Sequence, residues 1–171
     1  RPARREHRCD RLARGGDGAA HRGALEAIAH HGAEGRPIAV VACGLDVVYP
    51  REHRRIWDEI GRIGLLVSEW PPGVAPVAYR FPLRNRIIAA LSEIVVVVES
   101  RDTGGSLITA AQAAERGVPV MAVPGNTLER TSLGVNALLR DGSAPVIDVD
   151  DILVALALDH RHCGAVHSES R

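Results

Sequence analysis

The sequence predicts a doubly wound, Rossmann-like α/β domain, a mainly parallel sheet covered by helices on both faces. Three observations predict it. Short apolar runs alternate with stretches of helical periodicity along the whole chain. The runs are continuous, as in strands buried on both sides. Glycine-rich turns lead into several of the helices, where ligands of such folds bind.

In chain order, residues 1–11 are a polar run without apolar periodicity, expected to be disordered or the ragged edge of a fragment. The ordered domain is expected over 12–158. Ala20, Ala24, Ala27 and Ile28 recur at helical spacing, with Asp17 placed to cap the first turn. Pro37–Cys43 (PIAVVAC) reads as a strand, Arg51–Arg62 as a helix after Pro50, and Gly64–Ser68 as a second strand. Three prolines between Glu69 and Arg80, Pro71, Pro72 and Pro76, impose an extended loop. Leu83–Leu91 reads as a helix with Leu83, Ile87, Ile88 and Leu91 inward. The strongest strand is Glu93–Glu99 (EIVVVVE). Helices at Ser106–Arg116, Thr131–Leu139 and Asp151–Leu158 then alternate with strands at Val118–Val123 and Ala144–Ile147. Residues 159–171 read as a loose polar tail.

The 171 residues carry 21 basic and 21 acidic side chains, and every basic one is arginine. Without lysine there is no amine nucleophile, Schiff base or Walker-type loop. Zero net charge argues against a uniformly basic nucleic-acid binder but leaves room for a local arginine groove. Apolar stretches such as Ile94–Val98 fall far short of a membrane span, and no leader pattern opens the chain. Cys9, Cys43 and Cys163 are odd in number and far apart, which fits reduced thiols in a cytoplasm. Cys43 is expected to be a buried small residue, and His21 a satisfied structural one.

Three loops carry candidate chemistry. In Ala13–His21, a glycine-rich turn opens a helix; Asp17 competes with an anion there, so Arg14 is the ligand candidate. Tyr79–Ile88 holds Arg80, Arg84 and Arg86 around Phe81, with no acid among them. Arginine suits phosphate and an exposed aromatic suits a base; the competing reading is a solvated helix turn with Phe81 as core filler. In Glu99–Ala110, Gly104 and Gly105 permit close backbone approach, Ser106 can cap the helix or donate to phosphate, and Thr109 lies one turn on. A plain strand-to-helix turn is the alternative. Asn126, in Pro124–Asn126, is a weaker candidate. His160, His162, Cys163 and His167 have ligand chemistry but no packed partner in the sequence pattern, and neither metal nor cofactor is expected.

Taken together, ARGGDGAAHRGAL, VACGLDVVYP, SEWPPG, FPLRNRIIAALS, VVVVESRDTGGSLITAAQAAERG, VPGN and GVNALLRDGSAPV closely resemble the DNA-processing protein A (DprA/Smf) family over about Leu12–Leu153. The resemblance implies a Rossmann-like domain that binds single-stranded DNA, protects incoming strands during natural transformation and helps load the recombinase RecA. It implies a cytoplasmic homodimer without established catalytic activity. Carried over residue by residue, it assigns DNA contact to Phe81, Arg84, Asn85 and Arg86, with Gly105, Ser106 and Thr109 lining an adjacent pocket and Asn126 nearby.

The chain departs from the family pattern at its start. RREHRCDR replaces a strand that in relatives reads roughly VSGLA, Gly16 stands in place of an isoleucine, and an upstream phosphate loop is missing. A truncated or frame-shifted copy, with an uncovered sheet edge, is the expectation. Two other readings compete: a phosphoribohydrolase-like enzyme of the same superfamily, and a folded fragment without function. The enzyme signature PGGxGTxxE is here TGGSLITAAQ, which keeps the glycine pair and lacks the Gly-Thr and the glutamate.

Overall fold

The computed structural model describes the backbone of residues 8–11, 16–31 and 35–165, and the side chains of 18–31 and 35–157. The chain divides into two compact units, Arg1–Leu91 and Ser92–Arg171. The architecture is the expected Rossmann-like α/β class, with parallel strands and intervening helices.

The first unit contains β1 (Arg8–Arg11), α1 (Gly16–His31), β2 (Pro37–Val40), α2 (Arg54–Ile63), β3 (Leu65–Val67) and α3 (Arg80–Leu91). Its three strands lie in the order β1-β2-β3, all parallel. The expectation of a disordered or ragged N-terminal run is corrected for residues 8–11; residues 1–7 lie outside the described residues. Arg8–Arg11 pairs along the whole of β2, Arg8 opposite Pro37 and Arg11 opposite Val40. Main-chain hydrogen bonding suffices for a strand, whatever the side-chain pattern. The pairing also covers the β2 edge that the sequence left open. The core is built from Leu25 of α1, Ala39, Val41 and Cys43 on and after β2, and Ile56, Trp57 and Ile60 of α2. Cys43 is buried, as expected, and the His21 side chain of α1 is buried as well.

At the end of α2, the Gly64 N–H bonds the Ile60 carbonyl at 2.8 Å. A Cβ on Gly64 would run into the Pro37 carbonyl, so β3 starts this close to β2 only with glycine there.

The second unit contains β4 (Val95–Val97), α4 (Gly105–Ala114), β5 (Val120–Ala122), α5 (Leu133–Arg140), β6 (Ala144–Pro145) and α6 (Val149–Ala165), with parallel strands in the order β4-β5-β6. Val95, Val97, Ala110, Ala113, Met121, Ala122, Val135 and Val146 are its buried apolar side chains. The last helix is longer than its periodicity suggested. It starts at Val149 and continues to Ala165, through the first part of the expected tail. Its start is a capping box: Asp148 Oδ1 accepts from the Asp151 N–H at 3.3 Å, and Asp151 Oδ2 accepts from the Asp148 N–H at 3.2 Å.

Candidate nucleic-acid interface

In the first unit, α3 begins at Arg80, three residues earlier than its periodicity predicts. Pro82 fits the first turn, where a missing N–H costs nothing. The inner face also differs from the expected one. Leu83 is 47% and Leu91 51% exposed, whereas Arg84, Asn85, Ile88 and Ala89 are buried. Arg84 Nη1 donates to the carbonyl of Val40, the last residue of β2, so this arginine pins the helix to the strand end. Arg86 is exposed and pairs with the Glu69 carboxylate. Two residues along a helix turn the side chain through about 200°, so the two arginines face opposite ways.

Four of the five aromatic residues surround this helix start. The Phe81 and Tyr49 rings lie tilted with centroids 5.7 Å apart, and the Arg84 guanidinium is 5.8 Å from the Phe81 centroid. The Arg80 guanidinium lies 4.4 Å from the Trp70 centroid and 5.5 Å from that of Tyr79. Cation–π attraction favours both arrangements. Arg80 is further held by Nη1 donating to the Ala75 carbonyl at 2.5 Å and Nε donating to Tyr79 Oη at 3.3 Å.

The loop that presents Trp70 is braced by the loop that follows β2. Ser68 Oγ donates to the Cys43 carbonyl at 2.6 Å and accepts from the Trp70 N–H at 3.0 Å. Asp46 receives the Gly73 N–H on both carboxylate oxygens, at 2.8 and 2.9 Å. Gly73 has φ +81°, a conformation glycine adopts without strain. Burial pushes the Cys43 thiol above its ordinary value, partly offset by Arg84.

In the second unit, the turn after β4 is bonded to the segment that opens α5. The Ser100 N–H donates to the Thr131 carbonyl at 2.9 Å, and its carbonyl accepts from the Gly134 N–H at 2.8 Å. Helix α4 starts at Gly105 with Gly104 as its N-cap and no side-chain cap bond, so Ser106 is not the cap the sequence suggested. Its hydroxyl instead donates to Ser100 Oγ at 2.8 Å. Thr109 is 5% exposed, and its hydroxyl has no hydrogen-bond partner among the described residues. Asn126 is exposed, its Oδ1 accepting from the Leu128 N–H at 2.9 Å. Asn136, which sequence reasoning passed over, brackets Gly125 with bonds of 3.0 and 3.2 Å and so holds the Pro124–Asn126 turn.

Among the sequence candidates, Arg80, Phe81, Arg84, Asn85 and Arg86 therefore share α3 in one unit, while Gly105, Ser106, Thr109 and Asn126 belong to the other. Arg14 lies outside the described residues, as do the side chains of Asp17 and of the histidines and cysteine beyond residue 157. Tyr49, Trp70 and Tyr79 were not among the candidates. Among the described residues, no group of three or more His, Cys, Asp or Glu could hold a metal ion, and no helix is long and apolar enough to cross a membrane.

The family profile described as DNA recombination-mediator protein A matches residues 11–157. The chain belongs to the DprA/Smf family. This family member is 44% identical over 142 residues to the DNA processing protein DprA of Streptococcus pneumoniae, covering 83% of this chain and 48% of the relative. It is 40% identical over 145 residues to that of Bacillus subtilis, covering 85% and 47%. It is 43% identical to protein Smf of Escherichia coli over 143 residues, covering 83% and 37%. The chain thus spans about half the length, or less, of these relatives. The crystal structure of the Streptococcus pneumoniae protein superposes with a TM-score of 0.80 at 41% identity, over 86% of this chain and 50% of that one. A Helicobacter pylori DNA processing protein A, whose structure is described as revealing a unique single-stranded DNA binding mode, matches with a TM-score of 0.72 at 22% identity. That match covers 89% of this chain and 80% of that one, and it bears on the fold alone.

Proposed function

We propose that this chain binds single-stranded DNA as part of DNA processing, protecting incoming strands and helping to load RecA during natural transformation and recombination. In this reading it acts as a cytoplasmic homodimer and as a binding module rather than an enzyme. One observation carries the reading. In a chain with five aromatic residues, four collect beside three arginines at the start of α3. Exposed rings offer stacking faces to unpaired bases of any sequence, and an exposed arginine offers planar donors to the phosphates between them. Family membership supports the same chemistry.

The test is a titration with labelled poly-dT at several salt concentrations. The logarithm of affinity should fall with that of salt at a slope near ~0.7 per neutralised phosphate. Arg86→Ala should flatten the slope, and Phe81→Ala should cost about 1–3 kcal/mol if the ring stacks on a base. Binding indifferent to salt and to both changes would overturn the proposal. Release of free base from a nucleoside monophosphate would instead favour the hydrolase reading.

A further inference from the structure

The geometry points to a second base-stacking face, on Tyr79, preset by the clamp that Arg80 and Trp70 form beside it. The inference rests on the single-stranded DNA reading and extends it in two ways. It adds a binding residue outside the FPLRNR segment, and it gives Arg80 a positioning role in place of phosphate contact.

Tyr79 is the most exposed aromatic side chain among the described residues, at 61%. A lone exposed ring samples several rotamers and loses that freedom when a base stacks on it. Here the ring is already held. Its hydroxyl accepts from Arg80 Nε at 3.3 Å, and the guanidinium sits 5.5 Å from its centroid. The guanidinium is fixed in turn by the Trp70 ring at 4.4 Å and the Ala75 carbonyl at 2.5 Å. Trp70 is tied through Ser68 to the Cys43 carbonyl, in the loop after β2. With two of its nitrogens engaged inside the protein and its carbon over an indole, Arg80 is poorly placed to give a phosphate a bidentate contact. Arg86, exposed and paired with the partly exposed Glu69 carboxylate, is better placed.

Phe81, two residues on, is packed against Tyr49 and the Arg84 guanidinium, and it is less exposed than Tyr79. The preferred ligand is therefore a strand whose bases are unpaired over at least two positions. Duplex DNA, whose π-faces are covered, offers this surface only its phosphates.

The experiment uses the 171-residue chain and fluorescein-labelled dT20, with a 20-unit abasic oligonucleotide as the second probe. Tyr79→Ala should weaken dT20 binding on the order of 10–100-fold, leave the salt slope unchanged, and leave abasic binding as in the parent. Tyr79→Phe, which keeps the ring, should stay within about 3-fold. Arg80→Ala should weaken dT20 binding with the slope again unchanged, whereas a slope lower by ~0.7 would make it a phosphate ligand and overturn its positioning role. Photocrosslinking of the parent to a 5-iodouracil oligonucleotide gives a readout independent of variant folding, with the adduct expected on Tyr79. A parent that binds dT20 with a salt-dependent slope, yet is matched by Tyr79→Ala and crosslinks only elsewhere, overturns this inference and leaves the DNA reading standing. A parent that does not bind dT20 overturns both.

Discussion

Arg84→Ala and Arg86→Ala remove the same charge from opposite sides of one helix, and they should behave as different kinds of mutation. Arg84 is 3% exposed and its guanidinium donates to the Val40 carbonyl at the end of β2. Truncation deletes a charge-assisted hydrogen bond worth roughly 1.5–3 kcal/mol and strips packing from beside Phe81, for a total of about 3 kcal/mol. In a domain of this size each kcal/mol moves the melting midpoint by roughly 2–4 °C, so the midpoint should fall by about 6–12 °C. Arg86 loses only a partly exposed ion pair with Glu69, worth under about 1 kcal/mol. Its midpoint should stay within about 3 °C of the parent, while the salt slope of poly-dT binding falls by ~0.7. Thermal melts followed by circular dichroism, paired with titrations well below both midpoints, separate the two effects. An Arg84→Ala protein that melts with the parent, or an Arg86→Ala protein that melts more than about 3 °C below it, would refute the assignment of one arginine to scaffold and the other to surface.

Four other outcomes follow from the structure. Gly134→Ala in α5 should destabilise by about 2 kcal/mol in urea despite better helix propensity, because the new Cβ meets the Arg101 and Ser100 carbonyls; Gly23→Ala in α1, with nothing within 4 Å, should gain up to about 1 kcal/mol. Asp148→Ala should cost α6 about 1 kcal/mol by removing its N-cap, again read from the urea midpoint. The N–H groups of Ile147 and Asp148 hold the Asp151 carboxyl below its ordinary value, so its contribution is present above that value and lost as pH falls through the depressed one; Asp151→Asn should remove that acid dependence. Cys43, raised by burial, should resist Ellman's reagent in the native protein of a Cys9→Ala, Cys163→Ala background and react at once in urea. Its contribution is present below the ordinary thiol value and lost as pH rises through the raised one, a dependence that Cys43→Ala should abolish.

The α/β class, the parallel strands from PIAVVAC onward and the family were legible in the residues alone, because strand burial on two faces and glycine at close approaches leave local marks. The strand at Arg8–Arg11 was not, since its signal lies in main-chain pairing with β2 and not in side-chain pattern. The Arg80–Arg86 cluster stood out as an acid-free run, but its division into a buried pin and an exposed charge depends on which face of α3 meets β2. Helical periodicity put Leu83 inward; the hydrogen bond from Arg84 to the strand end turned the helix the other way. Tyr49 stands more than thirty residues before Phe81, and Trp70 ten before Arg80, so no window of sequence contains the ring cluster. Residue types and local spacing determined what kind of chemistry this protein can offer. Which groups are spent holding the fold, and which face outward for a ligand, was decided only when the loops closed on the end of β2.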